Sequence, residues 1–309
     1  MPSRWKDDRP LSRAEFARRF PDDAACARYL FEKRWPDGSA CGGVKSWELS
    51  TKRFTWECAA CGRQTSVTAG TVMHRSKVSL HLWFMAAHLV TSHSNGISAL
   101  QLQAQLGLGS YKTAWLMLHK LRRAMVDPER EPLMGFVEVD ESEVPFRSKN
   151  DPVDGGQGRS HLGKLLIIGA VEISEDGHPR RIRLEPIQDF SGTSVKGFVQ
   201  RVVAKGATVF SDGWSGYRGL KEHAHRPMVV GKMAAHVLLP WVHRVFANLK
   251  RWAMGTLHGL RKAHLARYLN EFVFRWNRRR HMRVAFDSLL GLTLRLPPAT
   301  YRDFVEQRA

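Results

Sequence analysis

Ten residues in mid-chain, KLLIIGAVEI (164–173), limit the fold more than any other stretch. From Leu165 to Val171 no side chain is polar. A strand with one wet face alternates, so a continuous run of this length asks to be covered on both faces. The neighbouring segments supply the rest of a sheet. GFVEVDES (135–142) alternates, and RRIRLEPI (180–187) can pair with the apolar run across the turn SEDGHP. SVKGFVQRVVAKG reads as a helix leading into the strand ATVFSDGWSGY. HRPMVV is a short strand, and LPWVHRVFANLKRW (239–252) is an amphipathic helix with Pro240 at its mouth. Strands alternating with helices predict an α/β mixed sheet with helices packed on it.

Upstream the pattern changes. Residues 35–72 alternate Gly-rich corners with Trp, Phe and Val, which suggests short strands joined by knuckle turns. Residues 78–125 have helical spacing, and ISALQLQAQLGLGSYKTAWLMLHKLRRAM (97–125) reads as a helix-turn-helix. Its second helix is expected to present Ser110, Tyr111, Lys112, Thr113, His119, Lys120 and Arg123 outward, with Trp115, Leu118 and Leu121 inward. The alternative is an ordinary packed helical hairpin. VDPEREP (126–132) suits a boundary, and FRSKNDPVDGGQGRSHLGK (146–164) reads as a polar loop. The expected divisions are 1–34, a short helical segment; 35–75, the knuckle module; 76–126, the helix-turn-helix region; 133–262, the mixed-sheet domain; and 263–309, basic helices.

Charge narrows the class of partner. Against 29 acidic residues stand 48 Lys and Arg, a net +19, which exceeds what solubility needs and points to a polyanion, by default nucleic acid. Five arginines crowd RWNRRRHMR (275–283), and Arg278, Arg279 and Arg280 among them are candidate phosphate contacts without sequence preference. The longest apolar stretch, LHLWFMAAHLV (80–90), falls short of the ~18 residues of a membrane span. Together with an N-terminus charged from the start, this predicts no membrane partner and a cytoplasmic protein.

Four cysteines fit a reducing compartment. Cys58 and Cys61 form a C-x-x-C knuckle, and Cys41 adds a third thiolate. A structural zinc site wants four ligands in two such pairs, but the position three after Cys41 is Val44, and Cys26 lies in a helical stretch. Either zinc binds through three cysteines and a further ligand, or the module stands without metal on Trp47, Phe54 and Trp56.

Two carboxylates fall at strand ends: Asp140 closes FVEVD and Asp212 closes ATVFSD. If those strands are parallel neighbours, both emerge at one sheet edge, where paired carboxylates can hold magnesium for phosphoryl transfer. Asp189 precedes Ser191 at a helix start and reads as local capping. On the helix 240–252, His243 and Lys250 stand on one line two turns apart, flanking the apolar stripe.

VEVDES, VFSDGWSGY, LPWVHRVFANLKRWAMGTLHGL and HLARYLNEFVFRWNRR together resemble the catalytic domain of bacterial insertion-sequence transposases of the DDE class, with a ribonuclease H-like core. WPDG with CAACGRQTSVTAGT is similar to the zinc ribbon that precedes it in one such family. The resemblance covers roughly residues 20–285. It implies catalysis by Asp140, Asp212 and a third residue on the helix, usually Glu, seven before a basic residue; the register puts His243 there and makes Lys250 a DNA contact. Asn248 is the rival, but it lies about 160° around the helix from Lys250. The resemblance further implies a two-metal site of magnesium or manganese held by Asp140, Asp212 and His243, and zinc on Cys41, Cys58 and Cys61. Its partners would be terminal inverted repeats and target DNA, bound by at least a dimer in the bacterial nucleoid. Imidazole is softer than carboxylate and uncharged, so His243 would ligate magnesium weakly, or act on water as a base. Two other functions stay open: a ribonuclease H-like nuclease without strand transfer, and an inactive transposase-derived DNA-binding regulator.

Overall fold

The computed structural model describes residues 9–145, 164–228 and 235–305. In chain order its elements are α1 (Arg13–Arg19), α2 (Asp23–Arg34), β1 (Ser46–Glu48), β2 (Thr55–Cys58), β3 (Gln64–Ser66), α3 (Leu80–Ser92), α4 (Ala99–Leu106) and α5 (Tyr111–Ala124). The second half holds β4 (Phe136–Pro145), β5 (Lys164–Ile173), β6 (Pro179–Pro186), α6 (Gly192–Val202), β7 (Thr208–Asp212), β8 (Ala224–Met228), α7 (Ala235–Leu238), α8 (Pro240–Leu257), α9 (Leu265–Asn277), α10 (Met282–Arg295) and α11 (Arg302–Val305). The polar segment 146–163 lies outside the described residues. No described helix is long and apolar enough to cross a membrane.

The chain divides into two compact units: residues 128–277, and residues 1–127 together with 278–309. In the first, five strands lie in the order β6-β5-β4-β7-β8. The pairs β6–β5 and β5–β4 are antiparallel, and β4–β7 and β7–β8 are parallel. This is the mixed sheet of a ribonuclease H-like core. The apolar run forms β5, and its side chains serve both faces as their continuity required. Ile167 and Val171 join Val242, Phe246, Leu249, Leu269 and Phe272 of α8 and α9 on one face. Ile168 and Ala170 meet Val195, Phe198 and Val199 of α6 on the other. Burial of this kind is worth about 25 cal/mol per Å² of apolar surface and holds the three layers together.

The other unit is helical around a small antiparallel sheet, β1-β2-β3. A capping box of Ser12 and Glu15 starts α1. Phe16, Phe20, Tyr29, Phe84 and Phe286 pack edge to face in its core, so α10 returns from the far end of the sequence to close it. Beside the small sheet Phe31 stacks on Trp56 with centroids 4.7 Å apart, while Trp47, expected in that core, is 48% exposed. Three-residue strands cannot cover an indole by themselves; Trp56 is covered because α2 lies over it.

Candidate active site and cysteine cluster

Strand β4 carries the acidic side chains, and its alternation sends them to opposite faces. Asp140 lies directly opposite Gly169 in the β4–β5 ladder, so both positions face the same side of the sheet. A Cβ at Gly169 would stand 2.8 Å from Leu184 Cδ2 and 2.8 Å from Phe246 Cε1. That side is therefore the one on which α8 packs, and glycine lets the helix approach. Glu138, two residues before Asp140, faces the same way. Its Oε2 accepts hydrogen bonds from the backbone N–H of Trp241 (2.9 Å) and Val242 (2.8 Å), satisfying donors that a helix N-terminus leaves open. Burial nevertheless raises its pKa to about 6.

One turn into α8, His243 comes to Asp140, with Nε2 3.4 Å from Oδ2. Asn248 is exposed, while Lys250 is half-buried. Burial lowers the Lys250 pKa, against the opposing pull of Glu143 and, more weakly, Asp140. Lys164 at the start of β5 pairs with Glu143 at 2.7 Å. The helix register read from 100° per residue thus agrees with the placement of His243 and Lys250 towards β4.

Asp212 ends β7. The β4–β7 register pairs Val137 with Val209 and Glu138 with Phe210, and the same offset carried two residues further sets Asp140 level with Asp212. Asp212 Oδ1 accepts the Trp214 N–H at 3.1 Å, turning the chain into the segment GWSGY. There Tyr217, fully buried, donates its hydroxyl hydrogen to Glu141 Oε1 at 2.7 Å. Glu141 points to the face opposite Asp140, as neighbours on a strand do. Burial first, then the charges of Glu141 and Asp212, pushes the Asp140 carboxyl up to about 7. Glu141 is also raised to about 7, mainly by burial, against the Tyr217 hydrogen bond. On the Asp140 face, a carboxylate beside an imidazole and level with Asp212 offers oxygen and nitrogen donors of the kind a divalent cation takes.

Among the described residues, the only three potential ligands whose atoms all lie within 4.8 Å of one another are Cys41, Cys58 and Cys61. Asp140, Asp212 and His243 do not form such a group. The cysteine Sγ atoms gather at the turn between β2 and β3, with Cys41 and Cys61 3.2 Å apart. Cys26 is buried within α2, apart from this cluster.

Asp189 braces the start of α6, its Oδ1 accepting from Ser191 N–H at 3.0 Å and from the Ser194 hydroxyl at 2.7 Å, while Ser191 is the N-cap and accepts from Ser194 N–H at 3.2 Å. The helix-turn-helix outline is present, with Gly107 in the left-handed region ending α4. The outward face expected on α5 is corrected. His119 is fully buried between Trp115 and Phe304, and Lys120 is 8% exposed, its Nζ donating to Val72 O at 3.1 Å. Arg123 donates to Pro297 O at 3.3 Å, and Lys112 lies 3.8 Å above the Tyr301 ring. The C-terminal segment covers the face that a two-helix reading leaves open. Ser110, Tyr111 and Lys112 stay exposed at the start of α5. Arg278 lines a groove of about 540 Å³ with Lys33, Arg34, Asp127 and Arg295. Arg279 is half-buried and Arg280 exposed.

Residues 132–277 match the family model of the ISXO2-like transposase domain, and residues 21–64 match that of the transposase zinc-ribbon domain. The two matches cover more than half of the chain and meet the five-stranded sheet and the cysteine cluster respectively. The chain belongs to the insertion-sequence transposases. No curated protein matches it. Asp140, Asp212 and the helix bearing His243 all lie within the matched residues 132–277. Glu138, Glu141, Tyr217 and Gly169 escaped sequence reading. For Glu138 the available signal was the alternation of FVEVDES, which puts it on the face of Asp140.

Proposed function

We propose that this transposase binds the terminal inverted repeats of its element, cleaves the DNA 3′ ends by metal-dependent hydrolysis, and joins the freed 3′-OH to target DNA. The approach of His243 to Asp140, with Lys250 on the same side of α8, carries this reading. Asp140 and Asp212 would hold magnesium or manganese, with His243 as a third ligand or as the group that takes a proton from water. A divalent cation held by these residues would offset negative charge at the scissile phosphate and make water more acidic. Lys250 would contact a phosphate near the cut, and its partial burial makes the contact more than a screened surface charge. Lys112 and Arg278 to Arg280 are proposed DNA contacts. Arg123 is a weaker one because it already serves Pro297, and Lys120 contributes through the fold. Three thiolates would hold zinc in the N-terminal module. Assembly as at least a dimer on DNA is part of the proposal.

The test is cleavage and strand transfer on DNA carrying the element's own ends, in magnesium and in manganese. Asp140→Asn or Asp212→Asn should abolish both while leaving DNA binding intact. Cutting without joining would identify a nuclease; binding without any cutting by the native chain would identify a regulator. Charge removal at Arg278 to Arg280 should weaken specific and random duplexes alike and flatten the salt dependence.

A further inference from the structure

The cysteine cluster has three thiols where a closed zinc site has four ligands, and a serine hydroxyl lies beside two of them. Ser39 Oγ lies 3.3 Å from Cys41 Sγ and 3.6 Å from Cys58 Sγ. Val44, where a second knuckle cysteine is expected, is 83% exposed. The turn is built tightly around this arrangement. Gly38 has φ +120, and a Cβ on it would lie 2.2 Å from Val44 O. Gly42 N–H donates to Ser39 O at 3.2 Å, and the Ser46 hydroxyl donates to Gly38 O at 2.6 Å. At Gly43 a Cβ would come within 2.6 Å of Cys58 Sγ and 3.1 Å of Ser39 Oγ, so the backbone reaches the thiols only without a side chain there. A cavity of about 10 Å³, room for one water-sized body, is lined by Ser39, Cys41 and Cys58 together with Phe31, Trp35 and Trp56.

We propose that Ser39 is the fourth ligand of a zinc site in this chain, its hydroxyl oxygen joining the thiolates of Cys41, Cys58 and Cys61. This rests on the zinc reading above and adds the residue that completes the site. Tetrahedral zinc accepts oxygen as well as sulfur. A neutral hydroxyl leaves the zinc and three thiolates with one net negative charge instead of two, which lessens their repulsion of DNA phosphates.

Cobalt(II) and zinc titrations of the purified full-length chain test the assignment. The native chain should bind one equivalent of either ion, with tetrahedral d–d bands and thiolate-to-cobalt charge transfer matching three Co–S bonds. Ser39→Ala should weaken zinc binding about tenfold or more and lower the d–d intensity as water enters. Ser39→Cys should raise the charge-transfer intensity to that of four bonds and tighten zinc binding, so the proposal is decided even if Ser39→Ala does not fold. Val44→Cys should leave the three-bond spectrum. Unchanged affinity and spectrum in Ser39→Ala, or a four-thiolate spectrum from Val44→Cys, overturns the role of Ser39 while leaving zinc. A native chain that takes up neither ion overturns the zinc reading itself, and the DNA cleavage experiment judges the catalytic reading separately.

Discussion

Asp140 sits among groups that resist its ionisation, and this fixes how the site answers to pH. Its pKa and that of Glu141 are raised to about 7, so the folded chain holds protons that the unfolded chain releases near pH 4. Without metal, stability should therefore fall as pH rises from about 4 to about 7. Saturating magnesium should reverse the slope, because a cation binds the ionised form. Thermal denaturation across that range, with and without magnesium, measures both. Asp140→Asn should stabilise the metal-free protein at pH 8 by at least about 1 kcal/mol, since one pKa unit corresponds to about 1.4 kcal/mol. A second residue-level expectation concerns His243. Manganese accepts imidazole more readily than magnesium does, so it should raise cleavage disproportionately, and His243→Glu should narrow the difference. His243→Ala should lose most activity, whereas Asn248→Ala, whose side chain is exposed, should keep it. Cleavage rates of the three variants in both metals decide this, and the reverse ranking would reassign the third residue.

Helix α8 is held to the sheet at two points, and each makes a separate prediction. At its mouth Glu138 binds two backbone N–H groups. Glu138→Ala would leave those donors buried or hydrated, at a cost of about 1–3 kcal/mol. Amide exchange at Trp241 and Val242 should speed up first, and cleavage should fall because His243 follows within the same turn. Glu138→Gln keeps an acceptor and should lose less of both. One turn further, the Phe246 ring occupies the space a side chain at Gly169 would need. Gly169→Ala should push α8 away from Asp140, costing about 1–3 kcal/mol as overpacking does. Adding Phe246→Leu should recover part of the stability. A Gly169→Ala chain of native stability and native activity would show that the close approach is unnecessary.

Across the whole molecule, the compact units do not follow the linear order of the chain. Residues 128–277 contain both faces of the sheet with their covering helices, so that fragment should unfold cooperatively by itself. The other unit is discontinuous. Its core includes Phe286, Leu289 and Leu290 of α10, and the Tyr29 hydroxyl donates to Asp287. A chain ending at residue 277 should lose the cooperative transition of its N-terminal part while the sheet unit keeps its own. Calorimetry of the native and shortened chains resolves the two transitions. Two intact transitions in the shortened chain would mean that α10 is dispensable.

What the sequence determined by itself was whatever depends on local periodicity and short spacing. The unbroken apolar run required a strand buried on two faces, and β5 is such a strand. The fixed rotation of a helix placed His243 and Lys250 on one side and Asn248 on another. Asp189 serves the start of α6 locally because its contacts with Ser191 and Ser194 span only a few residues. Tertiary structure decided the rest, because the deciding partners lie far away in sequence. Lys120 and His119 turn inward since α11 and the segment 71–73 cover a helix that looks half-exposed in isolation. Glu138 serves α8 across about a hundred residues, and Gly169 is needed only because Phe246 arrives above it. Cys41 meets Ser39 and Cys61 through a turn whose closeness depends on three glycines. Periodicity tells which face of an element wants cover; it carries no record of which distant side chain provides it.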